Sequence, residues 1–142
     1  MDTHDLPSQL RSSISKLYKR MRKHMYSAGT FSMTEIETIG FLFKKGTLLP
    51  SELASLTKIT TQSMSQILRK MEENGMIIRV PSKEDRRKVY VSLTADGKSI
   101  VEKTRYERDE WLGDVIENSL TENDRKLLIE TLPVLNKIIE AQ

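Results

Sequence analysis

Gln62, Gln66 and Arg69 are spaced by four and three, so on a helix they project from one side. Ser63 and Ser65 lie between them, and Glu and Lys are absent until Lys70, Glu72 and Glu73. This face is polar yet almost uncharged over two turns, whereas a merely solvated helix face more often carries Glu and Lys. Amides and hydroxyls both donate and accept hydrogen bonds, and a Gln side chain can pair bidentately with adenine in the major groove of DNA. Further along, Ser82–Lys88 gathers Lys83, Arg86, Arg87 and Lys88 against Glu84 and Asp85. Such a tip can reach phosphates or an adjacent minor groove. Asp85 can accept hydrogen bonds from the turn backbone or from Arg87, and so aim the guanidinium. Alone, a basic loop is most simply a solubilising loop. Directly after a helix with a base-reading face, it points to double-stranded DNA.

These residues need a frame. Thr60 or Thr61 offers an N-cap hydroxyl, and Asn74-Gly75 a stop. Between them Met64, Ile67, Leu68 and Met71 form one apolar stripe at helical spacing. A shorter helix starting at Pro50 precedes this one. Met76–Val80 follows as a strand that Pro81 is expected to end by removing a ladder donor. Val89, Val91 and Leu93 then alternate with Tyr90 and Ser92, the pattern of a half-buried strand. In this arrangement Gln62 and Gln66 enter a major groove first. Thr60, Thr61, Ser63 and Ser65 cap the helix or fix phosphates, with some base contact from Ser65, and Arg69 reaches guanine or phosphate. Lys83, Arg86 and Lys88 are expected on the DNA backbone.

Four segments in this order resemble one known family. They are Glu52-Leu53-Ala54, Gln62-Ser63-Met64-Ser65, Met71 through Arg79, and Asp85 through Gly97. Together they are similar to the MarR family of bacterial transcriptional regulators, above all in the Asp-x-Arg wing followed by a strand and Leu-Thr-x-x-Gly. The resemblance spans the chain, with its motifs in the middle third. It implies a mainly α fold with a small β-hairpin wing, a winged helix-turn-helix of about six helices in a two-fold dimer. It also implies binding to a near-palindromic operator, often loosened by a small ligand. Arg87 fills the Arg of the Asp-x-Arg pattern and is expected in a minor groove or on its phosphates.

Composition fits a single domain over residues 1–142, with 37% hydrophobic and 30% charged residues. There is no apolar run of membrane-spanning length, and the first residues are not a signal peptide, so a cytoplasmic location is expected. With no cysteine, disulfides, thiolate metal sites and thiol nucleophiles are excluded. His4 and His24 have no carboxylate at a metal-ligand spacing, so neither a metal nor a cofactor is expected, and both are expected at the surface. The net charge is only +3, but it is unevenly placed. Residues 1–30 carry six basic and two acidic side chains, 60–90 seven and four, and 94–142 seven and eleven. The wing segment should therefore face phosphate and the C-terminal segment face away.

Within the single domain, residues 32–97 form the expected DNA-binding lobe, and 5–30 with 98–142 the dimerisation lobe. Leu10, Ile14, Leu17, Met21 and Met25 step by four, three, four and four on a helix that Gly29 is expected to end. Ser32 to Glu35 has the form of a capping box, opening a helix with Ile36, Ile39, Gly40 and Phe43 along it and Gly46 closing it. Thr94 caps a long helix to about Asn118 that carries Leu112, Val115 and Ile116. Thr121 and Asp124 cap a last helix with Leu127, Leu128, Leu132, Leu135, Ile138 and Ile139 inward, with a kink or local irregularity expected at Pro133. This surplus of apolar surface fits burial against a second copy, and an intramolecular core remains open. The dimer contacts are placed on Leu10, Ile14, Leu112, Val115, Ile116, Leu128, Leu132, Leu135 and Ile139. Tyr18, Met21, Met25, Phe31 and Trp111 either line a ligand site or belong to the core, so no ligand residue is assigned.

Three function classes follow. The first is a ligand-responsive DNA-binding regulator, with double-stranded DNA, a second copy and a small-molecule inducer as partners, no membrane, and either repression or activation as outcome. The second is a winged-helix module that binds protein; it has no use for a basic tip beside an amide-and-hydroxyl face. The third, an enzyme, lacks any Ser-His-acid set, Gly-rich phosphate loop or metal cluster.

Overall fold

The computed structural model describes residues 2–29 and 31–142, the Tyr26 side chain excepted. Among the described residues the elements are α1 (Leu6–Lys23), a 3-10 turn (Tyr26–Ala28), α2 (Met33–Lys45), α3 (Pro50–Thr57), α4 (Thr61–Glu73), β1 (Ile77–Pro81), β2 (Val89–Leu93), α5 (Ala95–Ser119) and α6 (Glu122–Glu140). The chain divides into two compact units. One comprises Met25–Tyr106, the other the residues up to His24 with Glu107–Gln142.

The first unit holds the buried core. Ile39, Leu53, Met64, Leu68, Met71 and Val91 are fully enclosed, joining α2, α3, α4 and the hairpin into one apolar cluster. Helix α2 opens with the expected capping box: Ser32 Oγ accepts Glu35 N–H at 3.1 Å, and Glu35 Oε2 accepts Ser32 N–H at 3.0 Å. Gly46 closes it. Its inward face includes polar residues. Glu35, Thr38, Ile39 and Leu42 are buried, whereas Ile36, Gly40 and Phe43 are only partly so. Thr38 goes inward because its hydroxyl satisfies itself on the Thr34 carbonyl at 2.7 Å.

The hairpin is antiparallel, with Ile77 opposite Leu93 and Pro81 opposite Val89. Ser82 N–H donates to Lys88 O at 2.9 Å and Thr94 N–H to Met76 O at 3.0 Å, so the even-numbered residues of β1 make the ladder bonds. Pro81 therefore does not end the strand by withholding a ladder donor. It is the last residue of β1, at a position whose N–H would point away from β2. Val91 points its own backbone outward on the opposite edge, where it exchanges bonds of 3.1 and 2.8 Å with Leu48.

The second unit is built differently. Helix α1 ends at Lys23 rather than running to Gly29: His24 turns out of helical geometry, its N–H on Met21 O, and a 3-10 turn follows. Met25 consequently leaves the helix face and is buried in the other unit. Thr121 and Asp124 cap α6 reciprocally at 3.0 and 3.1 Å. The Thr121 backbone N–H, then the Thr121 hydroxyl, hold the Asp124 carboxyl below its ordinary range. Arg125 Nη1 closes the end of α5 by donating to the carbonyls of Ile116, Glu117 and Leu120 at 3.3–3.4 Å. Helix α6 is helical from Glu122 to Glu140, Pro133 included. Most of its apolar residues are not inward within one chain: Leu127, Leu132, Ile138 and Ile139 are more than half exposed, and Leu135 is partly buried. His24, expected at the surface, is half-buried and stacks on Trp111 with ring centroids 4.8 Å apart, and the Arg20 guanidinium also lies over the Trp111 ring.

Candidate nucleic-acid interface

Helices α3 and α4 meet at a turn that the sequence did not announce. Lys58 takes a left-handed conformation, φ 57° and ψ 41°, the one non-glycine residue at positive φ among those described. Ile59 N–H closes the turn on Ala54 O at 3.1 Å. Thr60 resolves the choice of N-cap: its hydroxyl accepts Ser63 N–H at 3.0 Å and donates to Ser63 Oγ at 2.9 Å. Asn74 ends α4, and Gly75 at φ 75° turns the chain toward β1, a conformation that a side chain would strain.

The two faces of α4 segregate sharply. Met64, Leu68 and Met71 are fully buried, and Ile67 is partly buried. Thr60, Thr61, Gln62, Ser63, Ser65, Gln66 and Arg69 are all exposed. The structure thus brings the whole uncharged polar set onto one accessible surface, with the Thr60 and Ser63 side chains engaged in the cap.

The wing tip is pinned by short-range bonds. Ser82 Oγ accepts the N–H groups of Glu84 and Asp85 at 3.2 Å, and Lys88 N–H donates to Asp85 O at 3.0 Å. Asp85 takes both roles open to it. Its Oδ1 accepts Arg87 N–H and Arg87 Nε, each at 3.1 Å, and its Oδ2 accepts Nη2 at 3.3 Å. The Arg87 guanidinium, and second its backbone N–H, hold the Asp85 carboxyl below its ordinary value. Arg87 stays 90% exposed while oriented, which leaves its outer nitrogens available to an anion. Lys83, Arg86 and Lys88 are exposed as well.

Helix α4 and the wing share a base. The Thr94 hydroxyl donates to Gly75 O at 2.6 Å and accepts Gly97 N–H at 3.1 Å, capping α5 while holding the turn after α4. Glu72 and Arg79 pair across that turn at 3.4 Å. Gly97 packs so closely on Met76 that a Cβ there would overlap the Met76 carbonyl oxygen. The Leu-Thr-x-x-Gly pattern had announced a cap; the bond to Gly75 had no local signal.

The MarR family model matches residues 30–88. The transcriptional regulator FarR of Neisseria gonorrhoeae is 35% identical over 103 residues, which is 72% of this chain and 70% of FarR. The chain belongs to the MarR family. As a MarR-family protein it is a helix-turn-helix transcriptional regulator rather than an enzyme. Two solved structures share its winged-helix fold. Streptococcus pneumoniae FabT, solved in complex with DNA, superposes with a TM-score of 0.79 at 22% identity over 98% of each chain. NadR, solved with 4-hydroxyphenylacetate, superposes with a TM-score of 0.69 at 24% identity over 100% of this chain and 98% of NadR.

Proposed function

We propose that this MarR-family chain is a cytoplasmic repressor that binds a near-palindromic operator as a homodimer and is released by a small organic ligand. The observation that carries the DNA reading is Arg87, exposed and held in a fixed direction by Asp85, on the wing that follows an uncharged, accessible amide-and-hydroxyl face. In this reading Gln62 and Gln66 recognise base edges, with Ser65 and Arg69 beside them. Thr60, Thr61 and Ser63 set the helix start on the backbone, Arg87 enters or clamps a minor groove, and Lys83, Arg86 and Lys88 neutralise phosphates. Residues 32–97 make the DNA-binding lobe, and 5–30 with 98–142 the dimerisation lobe.

Support for the dimer comes from the terminal helices. No described residue up to His24 or beyond Glu107 is fully buried within one chain. A helical unit that exposes Ile14, Leu128, Leu132 and Ile139 has not buried the surface that normally stabilises such an assembly. Burial of these residues, with Leu10, Leu112, Val115, Ile116 and Leu135, against a second copy supplies the missing core. Two α4 helices related by a two-fold then meet half-sites about one helical turn apart, roughly 10 base pairs. The ligand response is drawn from NadR, whose structure holds an aromatic acid.

The test uses a duplex selected from a random library by the wild-type protein, and a shuffled duplex of equal length. At one salt concentration, Gln62→Ala or Gln66→Ala should weaken the selected duplex by about 1–3 kcal/mol while leaving the shuffled one nearly unchanged, since no charge is lost. Equal losses on both would make these glutamines supports of the helix, not readers.

A further inference from the structure

Glu35 has a second partner besides its own helix cap. Its Oε1 accepts a hydrogen bond from Lys70 Nζ of α4 at 2.9 Å, while Oε2 holds the Ser32 N–H. The Glu35 side chain is only 7% exposed, whereas Lys70 remains 52% exposed. An enclosed carboxylate is tolerated where its oxygens are bonded, as both are here. The rest of the seat of α4 is the apolar face of Met64, Leu68 and Met71, with the Glu72–Arg79 pair and the Thr94 bond to Gly75 O near its C-terminal end. Apolar contacts are non-directional, so they keep the helix down but resist rolling about its axis only weakly. Side-chain tips lie roughly 5–6 Å from a helix axis, so a 20° roll moves them by roughly 2 Å. Bidentate contacts with a base need placement within about 0.5 Å. Lys70 is one turn beyond Gln66 on the same side of α4, so a roll that displaces Gln66 also strains the ion pair.

We infer that Glu35 is a positioning residue for sequence recognition. Through Lys70 it fixes the rotation of α4, and it withdraws the Lys70 charge from phosphate binding. The inference rests on the base-reading role proposed for α4. It sets Lys70 apart from Arg69 beside it and from the wing cations.

The experiment titrates the selected and shuffled duplexes, over a salt series, with wild type, Lys70→Gln, Lys70→Arg, Glu35→Gln and the double Gln variant. Circular dichroism first confirms folding; Lys70 is half exposed, so its variants decide the matter even where Glu35→Gln fails to fold. Lys70→Gln and Glu35→Gln should each lower the preference for the selected duplex roughly 3- to 30-fold, the range for coupling through a connected network. The shuffled duplex should keep its wild-type affinity and salt slope, Lys70→Arg should retain the preference, and the double variant should be no worse than either single. If Lys70→Gln weakens both duplexes alike and flattens the salt slope by about one unit per subunit, Lys70 binds phosphate and the inference is overturned. An unchanged preference in Lys70→Gln, with wild type still discriminating, overturns it too. A wild-type protein that prefers no duplex overturns the base-reading role itself, and this inference with it.

Discussion

Two glycines of α5 should respond to alanine with opposite signs. At Gly113 a Cβ meets nothing within 4 Å, and the residue is exposed in mid-helix. Gly113→Ala should therefore gain about 0.5–1 kcal/mol from reduced backbone entropy in the unfolded chain. At Gly97 the new methyl would overlap the Met76 carbonyl oxygen, touch Leu93 Cδ2 at 3.0 Å and approach the Met76 carbonyl carbon to 3.2 Å. A backbone carbonyl cannot rotate aside as a flexible side-chain tip can. The start of α5 must instead retreat, stretching the Thr94 N–H bond to Met76 O and the Thr94 hydroxyl bond to Gly75 O. Two weakened hydrogen bonds at about 0.5–1.5 kcal/mol each, with overpacking strain of about 1–3 kcal/mol, exceed the helix-propensity gain of about 1 kcal/mol. The net loss should be about 1–5 kcal/mol, which lowers the melting temperature by roughly 3–17 °C in a chain of this size. Calorimetry at one protein concentration reads both variants, since the midpoint of a dimer moves with concentration. Gly97→Ala melting at or above wild type would refute the close approach as the reason for glycine there.

Further outcomes concern the wing and the assembly. Arg87→Ala should weaken selected and shuffled duplexes alike and flatten the salt slope by about one unit per subunit; an unchanged slope at physiological ionic strength removes the wing from the interface. Asp85→Ala should weaken binding although it deletes a negative charge, because Arg87 loses its direction; tighter binding would mark Asp85 as merely repulsive. The folded Asp85 carboxyl titrates below its ordinary 3.8, held there by Arg87. Its orienting bonds are thus complete above 3.8 and lost only as the pH falls through the lowered value, so DNA affinity between about pH 5 and 8 should carry no Asp85 titration. Carbon-detected NMR should show its midpoint below 3.8, rising toward 3.8 in Arg87→Ala. Equilibrium sedimentation at micromolar concentration should give one species near twice the 16.4 kDa chain; a monomer that still discriminates between duplexes excludes the two-fold reading.

Local chemistry made much of this molecule legible in advance. The Ser32, Thr60, Thr94 and Thr121 caps and the period of α4 each depend on residues within a turn or two of one another. So does the Asp85–Arg87 contact, which spans two positions. What escaped notice depends on contacts far apart in the chain, or on backbone states that any residue can be forced into. Glu35 and Lys70 are 35 positions apart, on α2 and α4, with α3 between them. The left-handed turn falls on a lysine, where glycine would have signalled it. In α2 Glu35 and Thr38 go inward although polar in type, because both are satisfied in place, and hydrophobic period alone does not mark them. At Met25 the periodicity continued after the helix had stopped. The terminal helices show the complementary case: an apolar pattern was plain, but a pattern does not say which chain will cover it.

Pro81 has a consequence for how these molecules coexist at high concentration. The outward edge of β1 is an open strand border, the kind of surface on which another strand can template itself. Because Pro81 occupies an outward-pointing position, that border lacks a donor at the end nearest the tip, and the charge of Arg79 lies two residues away on the same strand. A second hairpin arriving edge-on would find a broken row of donors and a cationic tip like its own. The border on β2 is closed at Val91 by Leu48. The extended, exposed hairpin is thereby guarded against zipping into sheets with its copies, and growth of larger aggregates through the wings is discouraged by one imino acid that the ladder itself never feels.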